Sequence, residues 1–488
     1  LKEEVERLVE SEKIKPRHHP GVLKRQMITL PDWVIDAMRL NLEDTDKKRL
    51  FQESQQLSQY LFNRRLPAET QDVKTKYNEI EGKMLEKVID TLTPEELEEK
   101  RKMIKTKVIK KVKNEIYDWK ALQFTKYQGL MYMISRSTAE YSVLVKIFEE
   151  IKNRDPEFVP QAIFDFGSGV GTVLWAALNH WPNGIREYVG IDISNQMHDL
   201  SENIMKHSPT KVRGVFLRQY MPVTEIEHDI VISAYSLMEL PSIRNRLEII
   251  ARLWKKTNKY LIFVEQGSQS GFKESIVMNE ARSFIKHIMD NFEKSCKYFI
   301  FAPCPHETTC PRYAENNYPC NFIVQHGKLP LMGSSSPKQE LYTYIVFKKG
   351  ERTDQDNWHR LVRPTIVRSK HVRCRTCSPN GQLEEILFTP KRHGKWCYRC
   401  AKGSKWGDRL PIDTVKDESN ENINASEIDE NESETDSDTE CVDETDYGEN
   451  DKLDGEGSSQ SKNFEEKEFE SQTKSSNDSK EVLSNCYS

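Results

Sequence analysis

The stretch Phe164-Asp165-Phe166-Gly167-Ser168-Gly169-Val170-Gly171-Thr172 decides how this chain is read. An apolar strand runs into a turn with glycine at every second position, and a helix begins at Thr172. Glycine reaches backbone angles closed to other residues, and its bare main chain lets a ligand lie directly on the turn. The next strand ends in Val189-Gly190-Ile191-Asp192, about 20 residues later, where a carboxylate can hold a ribose diol. The pair of features is more specific than the glycines alone. The spacing Gly-x-Gly-x-Gly lacks the two-residue gap before the last glycine of the dinucleotide fingerprint.

Outward from the loop, the chain alternates between strand and helix. Short apolar strands are expected at 162–166, 188–191, 229–234, 260–264, 297–301 and 341–347. Helical patterns fall at 172–180, 195–206, 242–256 and 273–291; Ile243, Leu247, Ile250 and Leu253 in the third follow helical spacing. Strands separated by helices predict a mainly parallel sheet covered on both faces. With Asp165 ahead of it, Asp-x-Gly-x-Gly-x-Gly resembles motif I of class I S-adenosylmethionine-dependent methyltransferases. That resemblance implies a Rossmann-like α/β sheet ending in a hairpin. It assigns S-adenosylmethionine binding to Asp165, Gly167, Ser168, Gly169, Gly171 and Asp192. Catalysis is a separate question. The fourth-strand region reads Asp229-Ile230-Val231-Ile232-Ser233-Ala234-Tyr235-Ser236 and lacks the Asn/Asp-Pro-Pro-Tyr/Phe clamp of amino-methyltransferases. Ala302-Pro303-Cys304 mimics the Pro-Cys nucleophile of cytosine-C5 enzymes but follows a later strand. No base or nucleophile is identifiable.

Residues 1–155 read as helical. Thr93 and Pro94 open a run rich in lysine through Trp119, and 128–152 carries a buried stripe at Val143, Leu144, Ile147, Phe148 and Ile151. The methyltransferase-like domain is expected over 156–350, with a small basic β-like segment over 351–410 and a disordered acidic tail over 411–488. The formal net charge of −5 hides this division. The tail holds 25 Asp/Glu and 6 Lys/Arg, a charge of −19, so the remaining 66 basic and 52 acidic residues give the body +14. No stretch approaches 18 uninterrupted apolar residues, so no membrane span is expected. Ten cysteines are too few for a disulfide-dense secreted scaffold, and no secretory leader is legible ahead of the helices.

Eight of the ten cysteines lie between 296 and 400. Cys304-Pro305-His306, Cys310-Pro311 and Pro319-Cys320 form an insertion at 302–322, where proline beside each cysteine fixes irregular backbone suited to a rigid ligand loop. Cys374-x2-Cys377 and Cys397-x2-Cys400, 19 residues apart, have zinc-ribbon spacing. Residues 360–410 also hold 13 Lys/Arg against Glu384, Glu385 and Asp408, a local charge of +10. Arg368, Arg373, Arg375, Lys391 and Arg392 are the candidate RNA contacts. Trp396, Tyr398 and Trp406 interleave with the charges, either for stacking on unpaired bases or as the core of a small basic domain.

Several stretches together resemble the methyltransferase-like-seventeen (Rsm-type) family of mitochondrial small-ribosomal-subunit assembly factors, with its bacterial and fungal relatives. They are Asp165 to Trp175, Val264-Glu265-Gln266-Gly267 through Gly271-Phe272, Ala302-Pro303-Cys304-Pro305-His306, and Arg399-Cys400 through Trp406-Gly407-Asp408. The resemblance covers roughly 125–410 and departs at Gln266, where proline is expected. It implies a 4Fe-4S cluster on Cys304, Cys310 and Cys320, with Cys377 as the best fourth ligand. Zinc on Cys374, Cys377, Cys397 and Cys400 is the competing reading. It further implies a protein of the mitochondrial matrix that binds small-subunit rRNA beside ribosomal proteins and other assembly factors, in support of mitochondrial translation. An active rRNA methyltransferase and a redox-sensing regulator of translation are the alternatives.

Overall fold

Strand burial follows a period of two, and each inward set meets a different helical layer. In β1 (Ala162–Phe166), β4 (His228–Ala234) and β5 (Thr257–Gln266), the residues Ile163, Ile230, Ile232, Tyr260, Ile262 and Val264 face one core. Phe164, Val231, Leu261 and Phe263 face the other. Strands apolar on both faces are what a sheet covered on both sides requires. The computed structural model of the chain describes residues 1–23, 26–86, 94–117, 119–267, 272–293, 296–316, 320–327, 329 and 337–413. The acidic tail expected to be disordered lies outside the described residues from 414 onward, and Ile412 still packs in the body.

The remaining elements of the sheet are β2 (Glu187–Ile191), β3 (Gly214–Arg218), β6 (Tyr298–Ala302), β7 (Phe322–His326) and β8 (Lys338–Lys349). Their order is β3-β2-β1-β4-β5-β8-β6, with β7 also on β8. β1 to β5 are mutually parallel, and β8 runs antiparallel between β5 and β6. This is a class I methyltransferase-like sheet, its reversed strand inserted next to β5. The expected hairpin of 297–301 and 341–347 is present as β6 and β8. β3 and β7 were not expected. One edge of β8 is taken by β5; the other pairs with β6 near Val346 and with β7 near Tyr342. The cysteine insertion therefore leaves and rejoins the same edge of one strand.

Helices α1 (Glu3–Glu10), α2 (Asp32–Asn41), α3 (Lys47–Asn63), α4 (Thr70–Leu85), α5 (Pro94–Glu115) and α6 (Lys126–Arg154) precede the sheet. Helix α6 starts at a reciprocal cap in which Thr125 and Gln128 satisfy each other's backbone N–H. It is buried along most of its length, in the core that includes α7 (Thr172–His180) and α8 (Asn195–Met205). Helices α9 (Ile243–Lys255) and α10 (Phe272–Asn291) cover the opposite face. α4 and α5 share a small core of Ile80, Ile104, Val108 and Val112. α11 (Pro311–Asn316) lies within the insertion.

The C-terminal segment forms a second, antiparallel sheet from β9 (His359–Leu361), β10 (Ile366–Val367), β11 (Val372–Cys377), β12 (Leu383–Phe388) and β13 (Arg409–Leu410). Helices α12 (Pro390–His393) and α13 (Lys395–Gly403) sit beside it. The first residues of the chain pack here: Val5 and Val9 of α1 against Trp358 and Cys400, and Lys2 N–H on Pro411 O at 2.7 Å. Residues Leu1–Asp413 thus belong to one unit. Among the described residues no helix is long and apolar enough to cross a membrane.

Candidate functional site

At the end of β1, Gly167 and Gly171 adopt φ of +79° and +94°. A Cβ on Gly167 would stand 1.8 Å from Ser236 Oγ, so neither the backbone nor the space tolerates a larger residue. Gly169, with φ +49°, differs: a Cβ there meets nothing within 4 Å, leaving open room against the main chain. Asp192 follows β2 and clamps the turn, accepting Gly169 N–H on Oδ2 and Ser194 N–H on Oδ1, both at 2.9 Å. Asp165 is fully buried and accepts the Tyr188 hydroxyl on Oδ2 at 2.6 Å, while its Oδ1 has no partner. Burial pushes its carboxyl up to about 7, against the Tyr188 hydrogen bond and reinforced by the charges of Asp192 and Glu140. Gly167, Ser168, Gly169, Gly171, Asp165 and Asp192 thus come together as one turn.

Beside this turn lies a buried polar network that the sequence reading missed. Tyr235, just past β4, holds φ +58°, a conformation uncommon for a bulky residue and concentrated at functional positions. Its hydroxyl is buried without a partner, and the Arg136 guanidinium stands 5.3 Å from its ring centroid. Arg136 donates to Glu340 at 2.9 Å and lies 3.5 Å from Glu140, which accepts the Tyr132 hydroxyl at 2.5 Å. The features here that suit an adenosyl ligand are a bare turn at Gly169 and two buried polar atoms without a hydrogen-bond partner, Asp165 Oδ1 and Tyr235 Oη.

The second constellation is sulfur-rich. Cys304, Cys310 and Cys320 of the insertion and Cys377 at the end of β11 line one small void, together with Pro303, Pro311, Arg312, Arg360 and Val362. Antiparallel register sets Cys377 opposite Arg360 of β9, which places both at this void. Arg282, from α10, donates through Nη2 to Cys304 Sγ at 2.6 Å and through Nη1 to Thr308 O. His306 Nε2 lies 3.2 Å from Cys377 Sγ, and its Nδ1 lies 2.7 Å from Thr308 Oγ1. A hydrogen bond from Cys320, the Arg282 charge and the backbone N–H groups at the start of α11 draw the Cys310 thiol down to about 6, against burial. Burial raises the thiols of Cys304 and Cys377. Among the described residues, no three or more His, Cys, Asp and Glu side chains gather closely enough to hold a metal ion.

The zinc-ribbon cysteines do not converge. Cys374 and Cys377 lie three residues apart on a strand, so the two-residue period sends them to opposite faces. Cys374 joins Cys397 in the small apolar core with Leu361, Val372 and Phe388, and Cys400 packs with Val5 and Trp358. The arrangement expected for zinc on Cys374, Cys377, Cys397 and Cys400 is therefore absent from this fold.

Arg360 joins the void to the body. Its guanidinium donates to Pro303 O at 2.8 Å, to Gly407 O at 2.7 Å and to Glu150 at 2.5 Å. Against burial, Arg360 and Arg154 hold the Glu150 carboxyl down at about 2. Arg360 and Arg409 are buried and so leave the basic surface, while Arg368, Arg373, Arg375, Lys391 and Arg392 are exposed. Arg373 and Arg375 point to the same side and share Glu385 across β12, at 3.3 and 2.7 Å. The interleaved aromatics are half-buried: Trp406 packs against the main core, Tyr398 against the small sheet core, and Trp396 beside Cys400. Nothing in the sequence pattern marks Arg282, Arg136 or Glu150, because a lone charged residue on a helix reads as solvated surface.

The mitochondrial small ribosomal subunit Rsm22 family model matches residues 126–411, from the first residue of α6 to just past β13. The chain is 34% identical over 405 residues to the human mitochondrial ribosome assembly protein METTL17, covering 81% of this chain and 86% of that protein. It is 26% identical over 332 residues to the Rsm22-cox11 tandem protein 2, mitochondrial, of Schizosaccharomyces pombe, covering 59% of this chain and 43% of the tandem protein. The matched span takes in both the glycine turn and the cysteine void, and the chain belongs to the mitochondrial small ribosomal subunit Rsm22 family.

Proposed function

We propose that the chain is a small-ribosomal-subunit assembly factor of the mitochondrial matrix. In this reading it binds small-subunit rRNA, next to ribosomal proteins, through the basic face of its C-terminal sheet. A 4Fe-4S cluster on Cys304, Cys310, Cys320 and Cys377 staples that sheet to the methyltransferase-like body. The observation that carries the reading is the meeting of four cysteines from two separated segments around one void lined by arginines. A cubane places iron and sulfide between its thiolates, so its ligands stand further apart than the four sulfurs of a single tetrahedral ion, with Zn–S bonds of about 2.3 Å. Four cysteines from two segments supply the number and type of ligands that such a cluster takes. S-adenosylmethionine, held at Asp165, Gly167 to Gly171 and Asp192, supplies a bound ligand that orders the turn.

The RNA part is tested with the full chain and a small-subunit rRNA fragment. Arg368, Arg373 and Arg375 changed together to Ala should weaken binding and flatten its dependence on salt, by up to about one unit of log–log slope for each phosphate no longer neutralised. Unchanged affinity and slope would remove RNA binding from this face. Methyl transfer to rRNA is the second reading, favoured by the buried, unpartnered Tyr235 hydroxyl where β4 ends. Calorimetric titration with S-adenosylmethionine followed by methyl transfer onto unmodified rRNA separates the two: binding without transfer supports assembly alone.

A further inference from the structure

Among the described residues, the arginines at and beside the void outnumber the carboxylates that pair with them. Arg282 and Arg312 are buried to 5% and 6% exposure, and among the described residues neither forms a salt bridge. Arg312 spends its donors on Val362 O at 2.9 Å, whereas Arg282 reaches sulfur directly. Arg360 is neutralised by Glu150. Two uncompensated guanidinium ions in a buried site are costly unless an anionic group faces them. Four thiolates on an oxidised 4Fe-4S core carry a net charge of −2, which matches them, and one-electron reduction takes that to −3.

We propose that Arg282 sets the reduction potential of the cluster by donating a charge-assisted hydrogen bond to the Cys304 thiolate, raising it so that the cluster accepts an electron reversibly. The inference rests on the cluster reading given above. Charge and hydrogen bonds to the ligand sulfurs are the levers by which a protein moves such a potential. An added electron places more negative charge on the sulfurs, so a donor 2.6 Å from one of them favours the reduced form. His306 Nε2 stands 3.2 Å from Cys377 Sγ, so its Nε2–H tautomer would donate a second hydrogen bond to a ligand sulfur. The electron comes from an external low-potential donor such as dithionite. It enters the iron core, taking it from the 2+ to the 1+ state, and no bond to the protein forms or breaks.

The experiment is a dithionite titration of anaerobically purified full-length chain and its Arg282→Gln variant, followed by electron paramagnetic resonance. Iron and sulfide are first measured in both. With the cluster present in both, Arg282→Gln should lower the reduced-to-oxidised ratio at the wild-type midpoint at least tenfold, equivalent to about 59 mV for one electron. An equal midpoint overturns the role of Arg282 while leaving the cluster in place. Absence of iron and sulfide from the wild type overturns the cluster reading itself. Should Gln block loading, Arg282→Lys carries the comparison: a lysine loses the planar fork, so a smaller fall is expected and an unchanged midpoint overturns the proposal.

Discussion

Glu150 and Arg360 are the residues on which the two sheets lean. Both are buried, their ion pair is 2.5 Å, and the arginine also binds two carbonyls from different segments. Removing one partner of such a pair strands the other charge, so Glu150→Gln should cost about 3–5 kcal/mol in chemical denaturation. A loss below about 1 kcal/mol would contradict this role. Its carboxyl is depressed from 4.5 to about 2, so the stabilisation is full above pH 4.5 and disappears as pH falls through 2. The difference between wild type and variant should narrow across that window. Asp165 behaves in the opposite sense. Its carboxyl rises from 3.8 to about 7, so ionising it costs stability progressively as pH rises through that range. Asp165→Asn, which keeps an acceptor for Tyr188, should raise the melting temperature more at pH 8 than at pH 5. An equal effect at both would mean that Asp165 is not held neutral.

At the scale of elements, legibility followed the strength of the local pattern. β1, α7 and the turn between them were readable because glycine backbone demands and apolar runs act within a few residues. β3 was not readable: it is an edge strand whose residues are half exposed, so no burial alternation marks it. β7 was concealed inside the cysteine insertion and exists because β8 runs long enough to pair with it. The pair Cys374-x2-Cys377 was ambiguous for a physical reason. In a turn this spacing brings two sulfurs together, whereas on β11 it sends them to opposite faces, and it is pairing with β9, β10 and β12 that makes that segment a strand. Cys374→Ser should therefore leave iron content unchanged while weakening the small core by about 1–3 kcal/mol, the cost of burying a hydroxyl in place of a thiol. Loss of iron in that variant would place Cys374 among the ligands.

For the molecule as a whole, the formal charge of −5 describes two unlike parts. The excess of the 360–410 segment is smaller at the surface than in the sequence, because Arg360 and Arg409 are internal and Glu385 lies between Arg373 and Arg375. Glu385→Gln should free both guanidiniums, tighten rRNA binding and steepen its salt dependence by up to about one unit of slope. No change would place the RNA-binding face elsewhere. Trp396, Tyr398 and Trp406 are half-buried, and the small sheet's core is filled by Leu361, Val372, Phe388 and Leu410 rather than by them. What sequence could not show is that the N-terminal residues, the insertion and the C-terminal sheet meet at one place, for that depends on packing across the whole chain. The staple itself is tested most directly by iron and acid-labile sulfide content of the anaerobically purified full-length chain, beside its Cys377→Ser variant. Equal amounts of iron and sulfide near four per chain, lost in the variant, are the predicted result. Stoichiometric zinc without iron, or full iron retained without Cys377, would contradict it.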